Sequence, residues 1–268
     1  MKTKPLLQSL VVLLVAFLTG CASLPGAVTE SIDERRVEYV LVRHDTGTVV
    51  FENGLGGSID WWAKVFPEIS KDTTAFAYNR PGYGKSDMVS SPRDGNHIVD
   101  ELRSLLKSKG LKPPYVLVGH SLGGLYQYVY AKLYPNEVAA MVLLDPTHPR
   151  HWESLQRDAP EAKTMIKMVR FISFSRTDRA EFDAQAACLD RLNMDVPLRT
   201  PVRMLVSERF RPGERGAPEA VIRTLRKDWL RLLGTDRMQT VWDSGHYLQK
   251  ESPDEVIAAI EEVITHAR

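Results

Sequence analysis

The chain has 268 residues, a formal net charge of +1 at pH 7 and 43% hydrophobic residues. This length fits one globular domain with a sizeable core. The near-neutral charge gives no reason to expect attraction to nucleic acid or acidic lipid, and we predict no nucleic-acid partner.

The chain begins with a segment that is typical of secretory signal peptides. Residues 1–4 are a short basic start, and residues 6–18 are mostly apolar but too few to span a bilayer as a mature helix. The segment 1–20 is followed by Cys21, and Leu18-Thr19-Gly20-Cys21 resembles the lipobox of bacterial lipoproteins. The resemblance implies cleavage before Cys21 and acylation (palmitate or a similar chain) of its sulfur and new amino group. An ordinary signal peptide with an incidental cysteine is the alternative.

Two or three acyl chains would anchor the protein stably in a membrane. Residue 22 is Ala, not the Asp that tends to retain such lipoproteins in the inner membrane. We therefore predict a place in the bacterial cell envelope, on the outer membrane facing the periplasm. Residues 21–31 are predicted to be the lipidated N-terminus and a tether, and residues 32–268 the folded domain. Cys188, the other cysteine, is predicted to be a buried small side chain with no disulfide partner.

Apolar strand-like runs alternate with helix-like stretches, which predicts an α/β fold with a mostly parallel central sheet flanked by helices. Predicted strands cover residues 37–41 (an early edge strand), 48–51, 74–78, 114–117, 140–144, 202–206 and 239–242. Predicted helices cover residues 97–109, 125–133, 161–174, 181–192, 218–233 and 253–266.

About fifty residues separate the strand at 140–144 from the strand at 202–206. Such a gap is too long for an ordinary loop. It predicts a helical lid at about 147–200, inserted before the penultimate strand. Apolar lid residues are expected either to line an acyl pocket or to form the lid's own core: Met165, Ile166, Met168, Val169, Phe171, Ile172 and Phe174.

The most informative motif is Gly119-His120-Ser121-Leu122-Gly123, between an apolar strand and a helix-like segment. In this context the pattern G-x-S-x-G predicts a sharp turn that exposes the serine oxygen above the sheet. The adjoining helix N-terminus favours developing negative charge. Ser121 is therefore a candidate nucleophile.

The chain resembles the α/β-hydrolase superfamily over nearly all of the domain. The segments that carry the resemblance are residues 54–58 (GLGGS), 80–86 (RPGYGKS), 119–124 (GHSLGG), 142–146 (VLLDP) and 244–246 (SGH). The resemblance implies a serine nucleophile, a histidine base, an acid that orients the histidine, and two backbone donors for an oxyanion. Serine at position 121 argues against the epoxide hydrolases and haloalkane dehalogenases, which use an aspartate there.

His246 follows the last predicted strand, where the family places its base, and a histidine can take and return a proton near neutral pH. His120 is expected to pack beneath the nucleophile instead of acting as the base. His148 and His151 suggest a metal pair, but nothing nearby completes a ligand set. We predict no metal and no cofactor.

The acid has two candidates. The family often places it in a turn after the strand that follows the lid, but here that turn, residues 206–210, has Phe210 where the aspartate is expected. Glu208 in the same turn is one candidate. Asp145, at the end of the preceding strand, is the other known placement. We prefer Asp145 because its strand-end position is fixed by the strand register, although an aspartate before Pro146 is also a common turn residue.

The resemblance places the oxyanion donors at the backbone amides of Leu55 and Leu122. The chain departs from the family pattern before the glycine loop, where Asn53 replaces the usual histidine. Since the donor is a backbone N–H, Asn53 need not abolish the oxyanion hole, but the local support of the loop is in doubt.

Two functions follow from these residues. The first is a lipid-anchored serine hydrolase, carboxylesterase-like, that cleaves a small or medium acyl ester, or a related thioester, lactone or amide, through an acyl-enzyme. The alternative is a catalytically inactive hydrolase fold that serves as a binding lipoprotein, which Asn53 and Phe210 leave open.

Overall fold

Eight strands form one sheet in the computed structural model, which describes residues 24–267. They are β1 (Val28–Ile32), β2 (Arg35–Val42), β3 (Thr48–Glu52), β4 (Thr74–Tyr78), β5 (Tyr115–His120), β6 (Val138–Leu144), β7 (Val202–Ser207) and β8 (Gln239–Val241). In space the order is β1, β2, β4, β3, β5, β6, β7, β8.

The sheet is antiparallel at one edge and parallel elsewhere. The pairs β1–β2 and β2–β4 are antiparallel, and the pairings from β4 through β3, β5, β6 and β7 to β8 are parallel. The carboxyl ends of β3 to β8 therefore meet along one edge of the sheet, which is where open α/β sheets bind their ligands.

Helices cover both faces of the sheet. They are α1 (Phe66–Ile69), α2 (Gly95–Ser108), α3 (Leu122–Leu133), α4 (His151–Asp158), α5 (Pro160–Ser173), α6 (Arg176–Asp183), α7 (Ala217–Leu233), α8 (Leu248–Glu251) and α9 (Pro253–Ala267). Short 3₁₀ turns lie at Ile59–Trp62, Pro135–Glu137, Ala187–Arg191 and Pro212–Glu214.

Alternate residues of the buried strands enter two separate cores. In β5, Leu117 packs with α2, α3 and α7, whereas Val116 and Val118 pack on the opposite face with α1, α8 and α9. Both faces of a parallel strand must be apolar when helices lie on both sides. The strand sequences are therefore unbroken apolar runs because both faces of each strand are buried. The predicted α/β architecture is confirmed.

Helix α2 shows why its predicted position was nearly correct. Its N-cap is Asp94, whose side chain accepts hydrogen bonds from the amides of Asn96 and His97. Its buried face carries the apolar residues whose helical spacing predicted it, Ile98, Leu102, Leu105 and Leu106. The helix begins two residues earlier than the predicted 97–109 because the capping aspartate lies at position 94.

Between β6 and β7 the chain forms α4, α5 and α6 and a 3₁₀ turn. Helix α5 lies within one residue of the predicted 161–174, but the predicted helix at 181–192 is wrong. Ser175 and Asp178 form a capping box that starts α6 at Arg176. The helix ends at Asp183, and residues 187–191 form the separate 3₁₀ turn.

The N-terminal prediction also needs correction. Residues 24–31 are not a free tether: Val28–Ile32 pairs with β2 as the outermost strand, so the strand predicted at the edge is the second one. Leu24 is 1% exposed, and its amide donates to Asp60 Oδ1 at 2.8 Å. β1 escaped prediction because it is mostly exposed, and its sequence shows no apolar alternation.

The predicted signal peptide and Cys21 lie outside the described residues. Within residues 24–267, no helix combines the length and apolar composition that crossing a bilayer requires.

Candidate active site

Ser121 lies at the turn between β5 and α3 in a strained backbone conformation. Its φ is 54° and its ψ is −120°. A residue with a side chain in such a conformation costs about 1–3 kcal/mol and persists only where its surroundings impose it. Here the Ser121 amide donates to Leu144 O, and its carbonyl accepts from the amides of Gly124 and Thr147. The turn is thus held on both sides.

The two glycines of the motif are required by close packing. A Cβ on Gly119 would lie 2.6 Å from Gly123 O, and one on Gly123 would lie 2.4 Å from Glu52 O. Neither glycine has a positive φ. The start of α3 therefore lies directly against β5 and the end of β3, which only glycine at both positions permits.

Ser121, His246 and Asp145 form a continuous hydrogen-bonded chain. His246 Nε2 is 3.0 Å from Ser121 Oγ, and His246 Nδ1 is 2.8 Å from Asp145 Oδ2. A carboxylate accepts only, so Nδ1 carries the proton and Nε2 is the acceptor for the serine hydroxyl. The three residues follow β5, β6 and β8, whose parallel carboxyl ends bring them together from distant points of the sequence.

Two further side chains hold the Asp145 carboxylate. Arg226 of α7 donates to Oδ1 at 2.8 Å, and Ser207 Oγ donates to Oδ2 at 2.9 Å. Burial alone would raise the pKa of Asp145, but the hydrogen bond and charge of His246, with Arg226 and Ser207, outweigh burial and hold that pKa below its usual value. The carboxylate is therefore ionised at neutral pH.

Glu208 is engaged elsewhere. Its carboxylate pairs with Arg223 at 2.6 Å on a partly exposed surface. Of the two candidate acids, the structure brings Asp145 to His246 and leaves Glu208 outside this chain of hydrogen bonds.

The aromatic ring of Phe210 packs against Arg223 and Arg226, whose guanidinium carbons lie 4.9 and 5.0 Å from its centre. Phe210 thus lies beside the cation that holds Asp145.

The two residues predicted to supply the oxyanion donors line the same cavity as Ser121. The Leu122 amide opens α3, where the first N–H groups have no acceptor within the helix. Leu55 follows Gly54 in the glycine loop, and a Cβ on Gly54 would lie only 3.0 Å from Ser121 Cβ. The loop therefore packs against Ser121. Asn53 supports it by donating from Nδ2 to Tyr78 O at 3.3 Å.

A cavity of about 520 Å³ opens onto Ser121 and His246 beneath the lid. Three of the apolar lid residues line it: Ile166, Val169 and Phe174. Three others face solvent, with exposed fractions of 58% for Met168, 80% for Phe171 and 72% for Ile172. Ile166 also packs against the cluster formed by Leu155, Ala159, Val221 and Leu225, so it belongs to a small core of the lid as well as to the cavity wall. Both expectations are therefore met in part, and the three exposed residues meet neither.

The remaining histidines have separate surroundings. His120 is fully buried, and its Nε2 lies 2.8 Å from His246 O. Burial, with the neighbouring His246, lowers its pKa well below the usual value, so it is a neutral residue beneath the nucleophile, as predicted. Burial also lowers the pKa of His148 and of His151 to about 4. Within residues 24–267, no cluster of three or more side chains forms a metal-ligand set.

Several residues of the site were not identified from the sequence. Thr147 Oγ1 lies 3.2 Å from Ser121 Oγ, and Arg226 reaches Asp145 across 81 positions.

Arg80 is buried between two carboxylates: Nη1 donates to Glu52 at 2.6 Å and Nη2 to Glu181 of α6 at 2.8 Å. Burial would lower the pKa of Arg80, but these carboxylates outweigh burial and raise it. In the sequence, Arg80 stands out only as part of the segment 80–86 that carries the family resemblance.

The family model of the α/β hydrolase fold matches residues 47–195, more than half of the chain. The chain belongs to the α/β-hydrolase fold family. The matched range contains β3 to β6, the nucleophile turn, Asp145 and most of the lid.

Individual relatives match over shorter segments. The protein YqjL of Bacillus subtilis is 39% identical over 37% of this chain and 39% of its own length. The (lyso)-N-acylphosphatidylethanolamine lipase of Bos taurus is 31% identical over 38% of this chain and 31% of its own length. The matches thus span less than half of these relatives. A crystal structure of Cfl2 from Burkholderia cenocepacia superposes with a TM-score of 0.64, at 21% identity, covering 90% of this chain and 95% of that one. This likeness shows a shared fold.

Proposed function

We propose that this protein is a serine hydrolase of the carboxylesterase type that cleaves acyl esters through an acyl-enzyme. The observation that carries the proposal is the hydrogen-bonded chain from Ser121 through His246 to Asp145, with distances of 3.0 and 2.8 Å. A serine hydroxyl is a weak nucleophile alone and needs a base within this reach.

The proposed reaction follows from that geometry. His246 Nε2 takes the proton of Ser121 as its Oγ attacks the ester carbonyl carbon. Asp145 stabilises the imidazolium, which then gives the proton to the leaving alkoxide. Water repeats the sequence on the acyl-enzyme: His246 takes a water proton, hydroxide adds to the carbonyl, and Ser121 leaves with the proton. General acid–base catalysis of this kind contributes typically ~10²–10⁴-fold in rate.

The negative charge of each tetrahedral intermediate would be received by the amides of Leu55 and Leu122. Such donors are worth ~3 kcal/mol each in the transition state. The position of Leu122 at the N-terminus of α3 adds the favourable end of the helix dipole.

The cavity supports a small or medium acyl substrate. Its volume of about 520 Å³ lies within the usual range of small-molecule sites, and the lid contributes apolar side chains to its wall, among them Leu155, Phe174 and Phe182. Thioesters, lactones and amides share the same tetrahedral chemistry, so substrate tests should include them beside esters.

The decisive test is covalent labelling with a fluorophosphonate. The wild-type protein should label, and Ser121→Ala should lose both the label and ~10³-fold or more of its turnover of p-nitrophenyl esters. Thr147→Val is a matched control, because it changes the neighbouring hydroxyl and leaves Ser121 in place. Labelling that survives Ser121→Ala would disprove the assignment.

The alternative of an inactive binding protein has no specific observation in its favour. Asn53 and Phe210, which suggested it, both have structural roles: Asn53 bonds Tyr78 O, and Phe210 packs on Arg226. A wild-type protein that neither labels nor turns over any ester would support this alternative.

We also propose that Cys21 is the acylated N-terminus, which would anchor the domain on the outer membrane facing the periplasm. The support is the lipobox resemblance alone. Mass spectrometry of the protein from the cell envelope should find acyl chains on residue 21, and Cys21→Ala should no longer partition into detergent. An unmodified residue 21 in envelope protein would disprove the proposal.

A further inference from the structure

The guanidinium of Arg80 joins the lid to the glycine loop. On the lid side, Nε and Nη2 donate to the two carboxylate oxygens of Glu181 in α6, at 3.0 and 2.8 Å. On the other side, Nη1 and Nη2 donate to the carbonyls of Asn53 and Gly54, the latter at 3.0 Å. Both Arg80 and Glu181 are almost fully buried, at 1% and 0% exposed.

One of these carbonyls belongs to the same peptide group as a proposed oxyanion donor. Gly54 C=O and Leu55 N–H lie in a single planar peptide, and in a trans peptide they point in opposite directions. Gly54 O accepts two hydrogen bonds, from Arg80 Nη2 at 3.0 Å and from the Gly57 amide at 3.2 Å. Bonds that fix the direction of Gly54 O also fix the direction of Leu55 N–H, and the Arg80 bond is the one of the two that leads to the lid. Arg80 thus acts on the donor from the side of the peptide away from Ser121.

We propose that Arg80 is a positioning residue that helps to aim the Leu55 amide at the oxyanion, and that Glu181 of the lid strengthens this effect by holding its guanidinium. The inference rests on the proposed acyl-transfer function. The donors of a guanidinium form a rigid planar fork, so they move together. If Glu181 withdraws, Nε–H and one Nη2–H lose their acceptor, and the bond from Nη1 to Glu52 at 2.6 Å becomes the main ionic contact of the guanidinium. The fork can then pivot about that contact, which displaces Nη2 from Gly54 O. Lid docking and the oxyanion hole are then coupled through one side chain.

A second contact holds the same helix without reaching the loop. Tyr83 Oη donates to Asp178 Oδ1 at 2.9 Å and lies 3.0 Å from Glu181 Oε2. Its ring packs on Arg80, with the guanidinium carbon 5.0 Å from the ring centre. Tyr83→Phe removes these hydroxyl contacts to α6 but keeps the ring against Arg80, and it is therefore the matched control for lid docking.

The test uses Glu181→Gln, which keeps the side-chain shape and removes its charge. On p-nitrophenyl acetate, an ester too small to need the lid, we expect kcat to fall by about 10- to 100-fold, since removing an oxyanion donor outright costs ~10²–10³. KM should change less than about twofold. The affinity for a trifluoromethyl ketone, which forms an oxyanion adduct with the serine, should fall by the same factor as kcat/KM. Tyr83→Phe should leave both quantities near their wild-type values.

Glu181→Asp guards against a folding failure, because it retains the charge and only withdraws the carboxylate by one methylene. It should show a smaller loss of the same kind. Three results would overturn the coupling: a folded Glu181 variant with wild-type kcat and inhibitor affinity, a loss that appears in KM alone, or an equal loss in Tyr83→Phe. A wild-type protein with no labelling and no esterase activity would instead refute the proposed function.

Discussion

Asp145 accepts hydrogen bonds from three side chains, His246, Arg226 and Ser207, and its backbone has a positive φ of 43°. That combination fixes both the direction and the ionisation of the carboxylate. In the proposed reaction, an acid so placed would hold one tautomer of the histidine and stabilise the imidazolium formed on acylation. Glu208 is not placed to do this, since its carboxylate is paired with Arg223 at the surface, away from His246.

We therefore predict that Asp145→Asn lowers kcat by ~10³–10⁴-fold, because an amide favours the wrong tautomer of His246. Glu208→Gln should lower kcat by about tenfold or less, because Glu208 can affect the site only through neighbouring residues. Esterase rates of the two purified variants, with thermal unfolding to verify the fold, provide the measurement. The prediction fails if the two penalties are reversed.

The residues of the site differ in how far the sequence predicted them. Ser121 and His246 could be proposed because each lies beside a strand within a short local motif. Asp145 could be named as a candidate but not separated from Glu208, because both follow strands that end at the same edge of the sheet. Arg226 and Glu181 carry no local signal, since their partners Asp145 and Arg80 lie 81 and 101 positions away.

At the scale of elements, His148 connects the start of the lid to helix α7. Its Nε2 is 3.0 Å from Asp228 Oδ2, and its ring packs edge-on against Trp229 with centres 5.4 Å apart. Only 2% of the side chain is exposed, and burial is the main cause of its lowered pKa, about 4. In the folded protein His148 therefore binds a proton only near pH 4, whereas in the unfolded chain it binds one near pH 6.5.

This difference makes folding stability depend on pH through His148. The contribution is fully present above pH 6.5 and is lost as the pH falls from 6.5 towards 4, because only the unfolded chain binds the proton in that window. The loss has a magnitude of ~3 kcal/mol at most. We expect His148→Asn to reduce the difference in unfolding free energy between pH 7 and pH 4.5, as measured by urea unfolding.

His266→Asn is the matched control for that measurement, since the His266 side chain is exposed and its ring bonds the carbonyl of Glu262 in its own helix. It should retain the pH dependence of the wild-type protein. If His148→Asn retained it equally, burial of His148 would not be its source.

Elements were predicted well where burial imposed a pattern and poorly elsewhere. β4 matches its predicted bounds because all five of its residues are buried and apolar contacts continue on both faces. In the lid, the capping box at Ser175 and Asp178 starts α6 at Arg176, five residues before the helix predicted at 181–192. β1 is polar and exposed, so only its pairing with β2 defines it.

At the scale of the whole molecule, β1 closes the antiparallel edge of the sheet. It pairs along its full length with β2, and Glu30 receives hydrogen bonds from Tyr39 and Lys109. Removing it would expose the hydrogen-bonding groups of β2, and an unpaired strand edge invites association between chains. A tether would have no such role.

We predict that a chain beginning at residue 33 has a lower melting temperature and aggregates at concentrations where a chain beginning at residue 24 remains monomeric. Thermal unfolding and light scattering of the two proteins provide the measurement. Equal behaviour of the two proteins would mean that residues 24–32 are dispensable, as a tether would be.

The placement of Asp145 directly after β6 has a consequence for how the protein can diversify. Residues 208–216, which connect β7 to α7, include no member of the hydrogen-bonded chain from Ser121 to Asp145. Three of them, Arg211, Gly213 and Glu214, nevertheless line the cavity. Substitutions there can reshape substrate preference while leaving the proton-transfer groups untouched. Under the proposed function, this part of the cavity wall can vary without changing Ser121, His246 or Asp145, which makes it a starting point for directed evolution of substrate preference.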